Sequence, residues 1–252
     1  LLGVLSGLVA VFHSRIFHKV EGLFSRSKRK AYRNVVFGGL GLGLLIFIFP
    51  SLFGEGYESI KSLSLLKPQE VLNNSYFQEY KNNEWFVLSF VGVLIFVKAI
   101  ATGLTLGSGG NGGNFAPSLF VGAYLGFFFS RLTNMLSFIN LPESNFTLVG
   151  MAGILSGLYH APLTAIFLIA EITGGYTLII PLMLVSSISY AISRYFEPFS
   201  MDTKKMASGG FIFTQDKDKN ILTTMNTSSI IETNYDKLDA NVSLGELVNV
   251  IS

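Results

Sequence analysis

The sequence predicts an all-α integral membrane protein with broken, re-entrant helices. Half of the 252 residues are hydrophobic and 13% are charged, whereas a soluble domain carries about a quarter charged residues. From Trp85 to Leu106 the one ionisable side chain is that of Lys98. As a helix this run measures roughly 33 Å, enough to cross the hydrocarbon core of a bilayer. The lipid bilayer is therefore the expected environment of the chain.

Seven apolar segments define the expected helices. They cover residues 1–24, 35–49, 86–106, 115–130, 146–158, 162–173 and 177–195. Several contain about 12 to 16 residues, fewer than the ~20 that a perpendicular spanning helix needs. Glycine and proline interrupt the chain between them, as at Pro50, Pro142 and Pro162. Helices broken in this way are typical of transporters built from inverted repeats, in which free helix ends face the substrate.

Two basic clusters predict the orientation of the chain in the membrane. The first contains Arg26, Lys28, Arg29, Lys30 and Arg33, and the second contains Lys204, Lys205, Lys217 and Lys219. Basic loops remain on the cytoplasmic side. Because six apolar segments separate the clusters, an even number of crossings returns the chain to the same side. We expect a multi-pass protein of the cell membrane with a cytoplasmic carboxy-terminus.

The remaining composition argues against nucleic-acid, metal, cofactor and catalytic sites. A net charge of +2 is too small to indicate a nucleic-acid partner. The sequence has no cysteine, and its three histidines are too scattered for a metal cluster. An intramembrane enzyme would use His160 and Glu171 as an acid–base pair, but no nucleophile accompanies them. We therefore expect no enzyme and no cofactor.

The most informative stretch is the glycine-rich loop 107–114, which leads into an apolar helix near Phe115. Pro117 falls in the first turn, where its missing N–H is tolerated. The first N–H groups of a helix have no partner inside it and carry about half a positive charge, so they suit an anion. The glycines allow the backbone to approach the ion closely. The residues alone leave open a flexible turn with an N-cap at Asn114.

Five short motifs resemble those of the CLC family of chloride channels and transporters. They are residues 113–117, 150–153, 159–165, 171–173 and 176–181, and they follow the family's order and spacing. The resemblance implies passage of chloride and similar small anions, by a channel or by a proton-coupled exchanger. It matches the chain to the second of two inverted repeats. The family's gating and proton-transfer glutamates would then lie outside this chain.

The resemblance also implies which residues form the site. The family binds its central chloride through backbone amides, which correspond here to Gly113, Asn114, Phe115 and Ala116. Asp202 stands where the family has an anion-contacting tyrosine, and an ionised carboxylate accepts hydrogen bonds without donating any. We expect Asp202 to cap its helix at the cytoplasmic mouth, away from the central site, as a possible inner gate.

The family resemblance further implies an assembly and a domain organisation. The family's homodimer has one pore in each subunit, and its interface would be formed from Leu163 to Ile172 and from Ile179 to Ile192. Residues 1–209 are expected to be the second half of a CLC-like membrane domain. Residues 210–252 are expected to be a cytosolic linker and an incomplete CBS domain, a truncated α/β segment. Two alternatives stay open: an unrelated broken-helix transporter of a carboxylate, and a structural half that is inert without its amino-terminal repeat.

Two charged residues in apolar surroundings have structural explanations beside the functional ones. Lys98 is expected to snorkel or to form a structural pair rather than to sense the anion pathway. Intramembrane acids are often functional, but Thr173 and Gly174 follow Glu171 directly. An interfacial cap is therefore the expected role of Glu171.

Overall fold

A computed structural model of the chain describes residues 1–25, 31–136, 139–209 and 217–225, with the separate positions 231, 241, 243–245 and 248. Over these residues the regular secondary structure is helical. The α-helices are α1 (Leu2–Ser25), α2 (Ala31–Ile48), α3 (Tyr57–Ser64), α4 (Glu84–Gly107), α5 (Phe115–Leu136), α6 (Glu143–Tyr159), α7 (Pro162–Ile172), α8 (Ile179–Phe196), α9 (Thr203–Ser208) and α10 (Lys217–Thr224). Three short 3₁₀ helices, Pro50–Leu52, Pro68–Leu72 and Gln78–Asn82, lie between α2 and α4.

The predicted apolar segments correspond to seven of these helices: α1, α2 and α4 to α8. This confirms the helical prediction for the described part of the membrane segment. Helices α4, α5 and α8 are long and apolar enough to cross a membrane. Helix α7 has only 11 residues, about 16 Å at the rise of an α-helix and about half the thickness of the hydrocarbon core. The expected mixture of long and broken helices is therefore present.

Helix α6 lies in the centre of the packing, and every residue from Val149 to Leu158 is buried. Glycines bring its backbone against that of α5. A Cβ atom added at Gly122 would lie 2.5 Å from the Cα of Met151, and one added at Gly126 would overlap the carbonyl oxygen of Phe146. Since a side chain at these positions would force the helices apart, the glycines fix the position of α5.

Serine hydroxyls join α6 to α8 on another side of α6. Ser189 Oγ donates to the carbonyl of Gly153 at 2.7 Å, and Ser193 Oγ donates to the carbonyl of Gly157 at 2.6 Å. A buried hydroxyl that lacks a partner is unfavourable in an apolar interior, so these interhelical bonds favour one register of α8 along α6. The carboxyl end of α6 is consequently held from two sides.

The polar stretch between α3 and α4 is more than the surface excursion that its composition suggests. Val71 and Leu72 are buried at 2% and 0% exposure and belong to the hydrophobic core. The Ser51 hydroxyl donates to the carbonyl of Val71 at 2.6 Å and ties this stretch to the first 3₁₀ helix. The many polar residues around Val71 and Leu72 conceal two core positions, because no helical or strand period places them in a pattern.

The chain divides into two compact units, Leu1–Lys204 and Lys205–Ser252. The predicted incomplete CBS domain falls mostly outside the described residues of the second unit. The longest described stretch there contains the helix α10, and the described residues include no strand. An α/β fold for residues 210–252 therefore stays a prediction.

Candidate anion-binding site

The loop between α4 and α5 turns the chain at the exposed start of α5. Helix α4 ends at Gly107, and Gly110 N–H returns to the carbonyl of Thr105 at 2.9 Å. Gly109 has a φ of 102°, a conformation open to glycine and rarely adopted by other residues. The glycine loop therefore reverses the chain within a few residues and delivers Phe115 as the first residue of α5.

The amino-terminal end of α5 has free amide groups. The first intrahelical bond runs from Ser118 N–H to the carbonyl of Asn114 at 3.0 Å, and Pro117 has no N–H. Helix geometry therefore leaves the N–H groups of Phe115 and Ala116 without an intrahelical acceptor. The Asn114 Oδ1 atom, which would cap such an end, is buried and makes no hydrogen bond with the described residues. The predicted N-cap interaction of Asn114 is absent, and the amides remain available to a ligand.

One cavity at this helix end has a volume of about 470 Å³. We call it the Asp202 cavity. Its lining includes the α5 start, the end of α6, the first turns of α7 and the residue before α9, through Gly113, Asn114, Phe115, Leu155, Tyr159, Ala161, Thr164, Ala165, Leu168 and Asp202. Three of the four residues predicted to bind the anion and the predicted inner gate thus face a common space.

A second cavity, of about 530 Å³, reaches the same helix end. We call it the Lys98 cavity, because Lys98 lines it together with Thr102 and Thr105 of α4. Ala116, the fourth predicted residue, lines this cavity, whereas Gly113 and Phe115 line both. The side chain of Phe115 is 44% exposed. The start of α5 therefore stands between two open spaces.

Lys98 is buried rather than snorkelling, with 3% of its surface exposed. Its Nζ donates to the carbonyl groups of Leu52 and Gly54, both at 3.2 Å, and lies 4.6 Å from the centre of the Phe120 ring. Both acceptors are neutral, so they solvate the ammonium without cancelling its charge. The lysine holds the turn after α2 and places a buried positive charge beside the Lys98 cavity, which the exposed Glu55 also lines.

Asp202 is exposed and lines the Asp202 cavity. The side-chain oxygen that accepts from Thr203 N–H belongs to Ser200, at 3.4 Å, and a cap by Asp202 on the later amides of α9 stays a prediction. Ser200 Oγ also lies 2.9 Å from the Thr203 hydroxyl. Ser200 therefore contributes to the start of α9, and Asp202, the residue before the helix, lines the cavity.

An ion-pair cluster holds the segment that carries Asp202. Glu197 Oε1 lies 2.5 Å from Arg15 Nε of α1, and Glu197 Oε2 lies 2.6 Å from Lys204 Nζ. Burial raises the pKa of Glu197, but the hydrogen bonds and charges of Lys204 and Arg15 outweigh it, so that the pKa is lowered overall. The ionised carboxylate therefore fastens the residues before and after Asp202 to α1.

Tyr159 is a cavity residue that the sequence motifs did not single out as a functional one. It is the last residue of α6, and His160 ends the helix in a left-handed conformation with φ 55°. The Tyr159 ring centre lies 6.3 Å from that of Phe115. The sequence feature that could have pointed to it is a tyrosine, otherwise among apolar residues, at the carboxyl end of a helix.

The alternative acid–base pair is not brought together. His160 stands just before α7, and Glu171 lies in the last turn of the same helix. About 15 Å of helix separates the two residues. Glu171 is exposed, as an interfacial residue would be. This geometry gives no support to general acid–base chemistry between them.

Comparison with known proteins identifies relatives of this chain. A family model described as "Voltage gated chloride channel" matches residues 1–194. The "Voltage-gated ClC-type chloride channel ClcB" of Salmonella typhimurium is 29% identical over 197 residues, which are 76% of this chain and 42% of that protein. The "H(+)/Cl(-) exchange transporter ClcA" of Vibrio campbellii is 31% identical over 192 residues, 74% of this chain and 37% of that protein. The chain therefore spans about two fifths of the length of these relatives.

Proposed function

The chain belongs to the family of voltage gated chloride channels, and on that premise we propose that it conducts chloride and similar small anions across a membrane. The family comprises channels and transporters rather than enzymes. The observation that carries the proposal is the uncapped amino-terminal end of α5 between two cavities. The anion is held by the backbone amides of Gly113, Asn114, Phe115 and Ala116, with no covalent step.

Backbone amides suit rapid passage of an anion. The partial positive charge of a helix end and the N–H groups of Phe115 and Ala116 replace part of the ion's hydration shell. Lys98 is the buried cation beside the site, and its Nζ atom is already engaged by two carbonyl groups. It attracts the ion through space without forming a tight contact pair, which favours exchange over permanent capture.

The choice between channel and exchanger lies outside the residues of this chain. One relative carries the name of a channel and another that of an H⁺/Cl⁻ exchanger. We assign the chain to the second inverted repeat of the membrane domain, with the gating and proton-transfer glutamates on the first. We propose that residues 210–252 form a cytosolic linker and a CBS-like segment.

The exposed apolar face of α7 and α8 supports a homodimer. Leu163 and Phe167 of α7 are 69% and 56% exposed, and Ile180, Met183 and Leu184 of α8 are 68%, 52% and 59% exposed. These positions belong to the segments that the family resemblance assigns to the interface. We propose that this face packs against a second subunit within the membrane, and that each subunit keeps its own pore.

The proposed orientation places α9 and the second basic cluster in the cytoplasm. Ser208 at the end of α9 is exposed and offers a site for a cysteine in a chain that has none. The S208C protein in intact cells is expected to react with a membrane-impermeant maleimide only after permeabilisation. Labelling from outside would contradict the orientation.

Anion flux tests the proposal as a whole. The full-length protein in proteoliposomes that are loaded with KCl and diluted into a low-chloride solution is expected to release chloride when valinomycin lets potassium leave with it, and liposomes without protein are the control. Acetate is expected to permeate less than chloride. Acetate flux above chloride flux would instead favour the carboxylate transporter, and absence of both would contradict an anion pathway.

A further inference from the structure

His18, near the carboxyl end of α1, has an acceptor opposite each of its two ring nitrogens. Its Nε2 lies 3.0 Å from the carbonyl oxygen of Met201, the residue directly before Asp202. Its Nδ1 lies 3.6 Å from Glu21 Oε2, which is too long for a hydrogen bond but within range of a charge. The neutral imidazole has a single N–H. Either neutral tautomer therefore leaves one ring lone pair pointing at an acceptor oxygen.

The surroundings of the ring contain charges of both signs. The side chains of His18 and Glu21 are each 17% exposed, so salt and water screen their interaction only in part. Partial burial is the largest influence and opposes a positive charge on the ring, and Lys204 of α9 acts in the same sense, whereas the Met201 carbonyl and Glu21 favour the charge. Because the Lys204 Nζ lies 2.6 Å from Glu197 Oε2, its repulsion of the ring is largely offset. The ring is therefore neutral at neutral pH, and acid is needed to charge it.

The residues that His18 holds carry the carboxylate of the Asp202 cavity. We call residues 197–202 the Asp202 segment. Within it Met201 is 2% exposed, and its N–H donates to the end of α6 at 2.9 Å. Arg15, one turn before His18 on α1, bonds Glu197 at the other end of the segment. The Asp202 segment is thus attached to α1 at two points, and the attachment through His18 is the one next to Asp202.

We infer that His18 is a proton-binding site that fastens the Asp202 segment to α1. Uptake of a proton gives the ring a second N–H, so that it donates to Met201 and to Glu21 at the same time. The segment beside the Asp202 cavity then opens less often. In the proposed orientation the proton comes from the cytoplasm. The inference goes beyond the proposed function, because this site binds a proton and not the transported anion.

The reactivity of a cysteine at the buried position of Met201 measures how often the Asp202 segment opens. Met201→Cys keeps the backbone N–H and carbonyl groups that α6 and His18 bind. In the full-length protein without other cysteines, its rate with a methanethiosulfonate reagent is divided by that of Ser208→Cys, at the exposed end of α9, to remove the ordinary effect of pH on thiols. Between about pH 7.5 and about pH 5, where histidine side chains ordinarily titrate, this ratio is expected to fall about tenfold, the effect typical of one hydrogen bond to a charged group.

Three substitutions in the Met201→Cys and Ser208→Cys proteins assign the effect to His18. Glu21→Gln supplies an amide that can donate to Nδ1, so the neutral ring is already satisfied on both sides. The fall in acid is expected to disappear with Glu21→Gln and with His18→Gln. It is expected to remain with the control His160→Asn, since asparagine tolerates the left-handed backbone of His160.

A ratio that does not change with pH when His18 and Glu21 are both present would overturn the inference. A fall in acid that survives Glu21→Gln or His18→Gln would overturn it too, because another group would then bind the proton. Thiol reactivity does not depend on chloride binding or flux, so either result leaves the proposed function to its own test.

Discussion

The Lys98 cavity and the Asp202 cavity share the start of α5 but differ in the charges that line them: Lys98 and the exposed Glu55 line the first, and Asp202 lines the second. On one side a lysine with 3% exposure is bonded to neutral carbonyls, so its positive charge persists inside the protein. On the other side an exposed carboxylate lines the cavity beside a tyrosine hydroxyl. A single helix end therefore faces one space that contains a buried cation as well as an exposed carboxylate, and another space that contains an exposed carboxylate.

This difference between the cavities suggests separate physical causes for binding the ion and for releasing it. The buried cation and the amides lower the energy of an anion near Phe115, and burial weakens screening by salt. The exposed Asp202 is screened by water and raises the energy of an anion only modestly. An ion is therefore stabilised between the cavities and meets a small barrier at the mouth, which is compatible with rapid exchange.

The largest expected effect comes from Gly126→Ala, which disturbs both cavities at once. The added Cβ would overlap the carbonyl oxygen of Phe146, so α5 must move away from α6 and take its amino-terminal end with it. Overpacking of this kind typically costs about 1–3 kcal/mol. We expect a lower melting temperature and loss of chloride binding.

The matched control for this change is Gly39→Ala in α2. Nothing lies within 4 Å of a Cβ atom at Gly39, and alanine is the better helix former. Gly39→Ala is expected to melt at or slightly above the wild-type temperature. If the Gly126→Ala protein melted at the wild-type temperature, α5 and α6 would not pack as closely as described.

Lys98→Met tests the contribution of the buried cation in the Lys98 cavity. Methionine keeps the length of the stem but removes the charge, and unit charges within a protein interact by a few kcal/mol over several ångström. We expect chloride affinity and chloride flux to fall about tenfold. Lys61→Met, at an exposed position of α3, is the control and should leave both unchanged. Chloride binding that survives in the Lys98→Met protein would assign the lysine to support of the Leu52–Gly54 turn only.

Substitutions of Asp202 test the opposite side. Asp202→Asn is expected to change the flux rate within about threefold and to leave anion selectivity unaltered, because an exposed charge is well screened. Asp202→Tyr is expected to tighten chloride binding by adding a hydroxyl donor. If Asp202→Asn abolished transport or removed its pH dependence, the residue would be a proton-linked gate.

The smallest effect concerns the ion-pair cluster that holds Asp202 in place. Because the pKa of Glu197 is lowered in the folded protein, its ionised form stabilises the fold above the ordinary glutamate pKa of 4.5. This stabilisation is lost as the pH falls through the lower, folded-state pKa. Glu197→Gln is expected to reduce the melting temperature by a few degrees at pH 7 and to weaken its dependence on pH below about 4.5.

The control for the cluster is Glu58→Gln, at an exposed position in the first turn of α3. It is expected to leave the dependence of the melting temperature on pH, in the acid range, as in the wild type. If the melting temperature of the Glu197→Gln protein depended on acid pH as that of the wild type does, the cluster would not contribute to stability through that carboxylate.

The sequence predicted the helices better than it predicted the contacts between them. Apolar runs and glycine–proline breaks locate α4, α5 and α8, since both are local properties of the chain. Burial of Val71 and Leu72 in a polar stretch depends on long-range packing that no local period encodes. Long-range packing also explains why Tyr159 was not predicted as a site residue, because its proximity to Phe115 arises from the close packing of α5 on α6.

The site was predictable in part. The glycine loop and Pro117 locate a free helix end from sequence, because the required N–H groups belong to the backbone. The side chains around it were less predictable. Lys98 lies buried against the carbonyl groups of Leu52 and Gly54, and Ser200 Oγ accepts from Thr203 N–H at the start of α9, since each outcome depends on which acceptors the fold brings near.

Chloride calorimetry on Phe115→Pro and Phe115→Ala tests most directly whether the α5 amides hold the anion. Proline is tolerated at the first position of a helix and removes one N–H donor, whereas alanine keeps the donor and removes the exposed ring. Phe115→Pro is expected to bind chloride about tenfold more weakly than Phe115→Ala. Equal affinities of these two proteins would contradict the account, because the anion would then lie away from the start of α5.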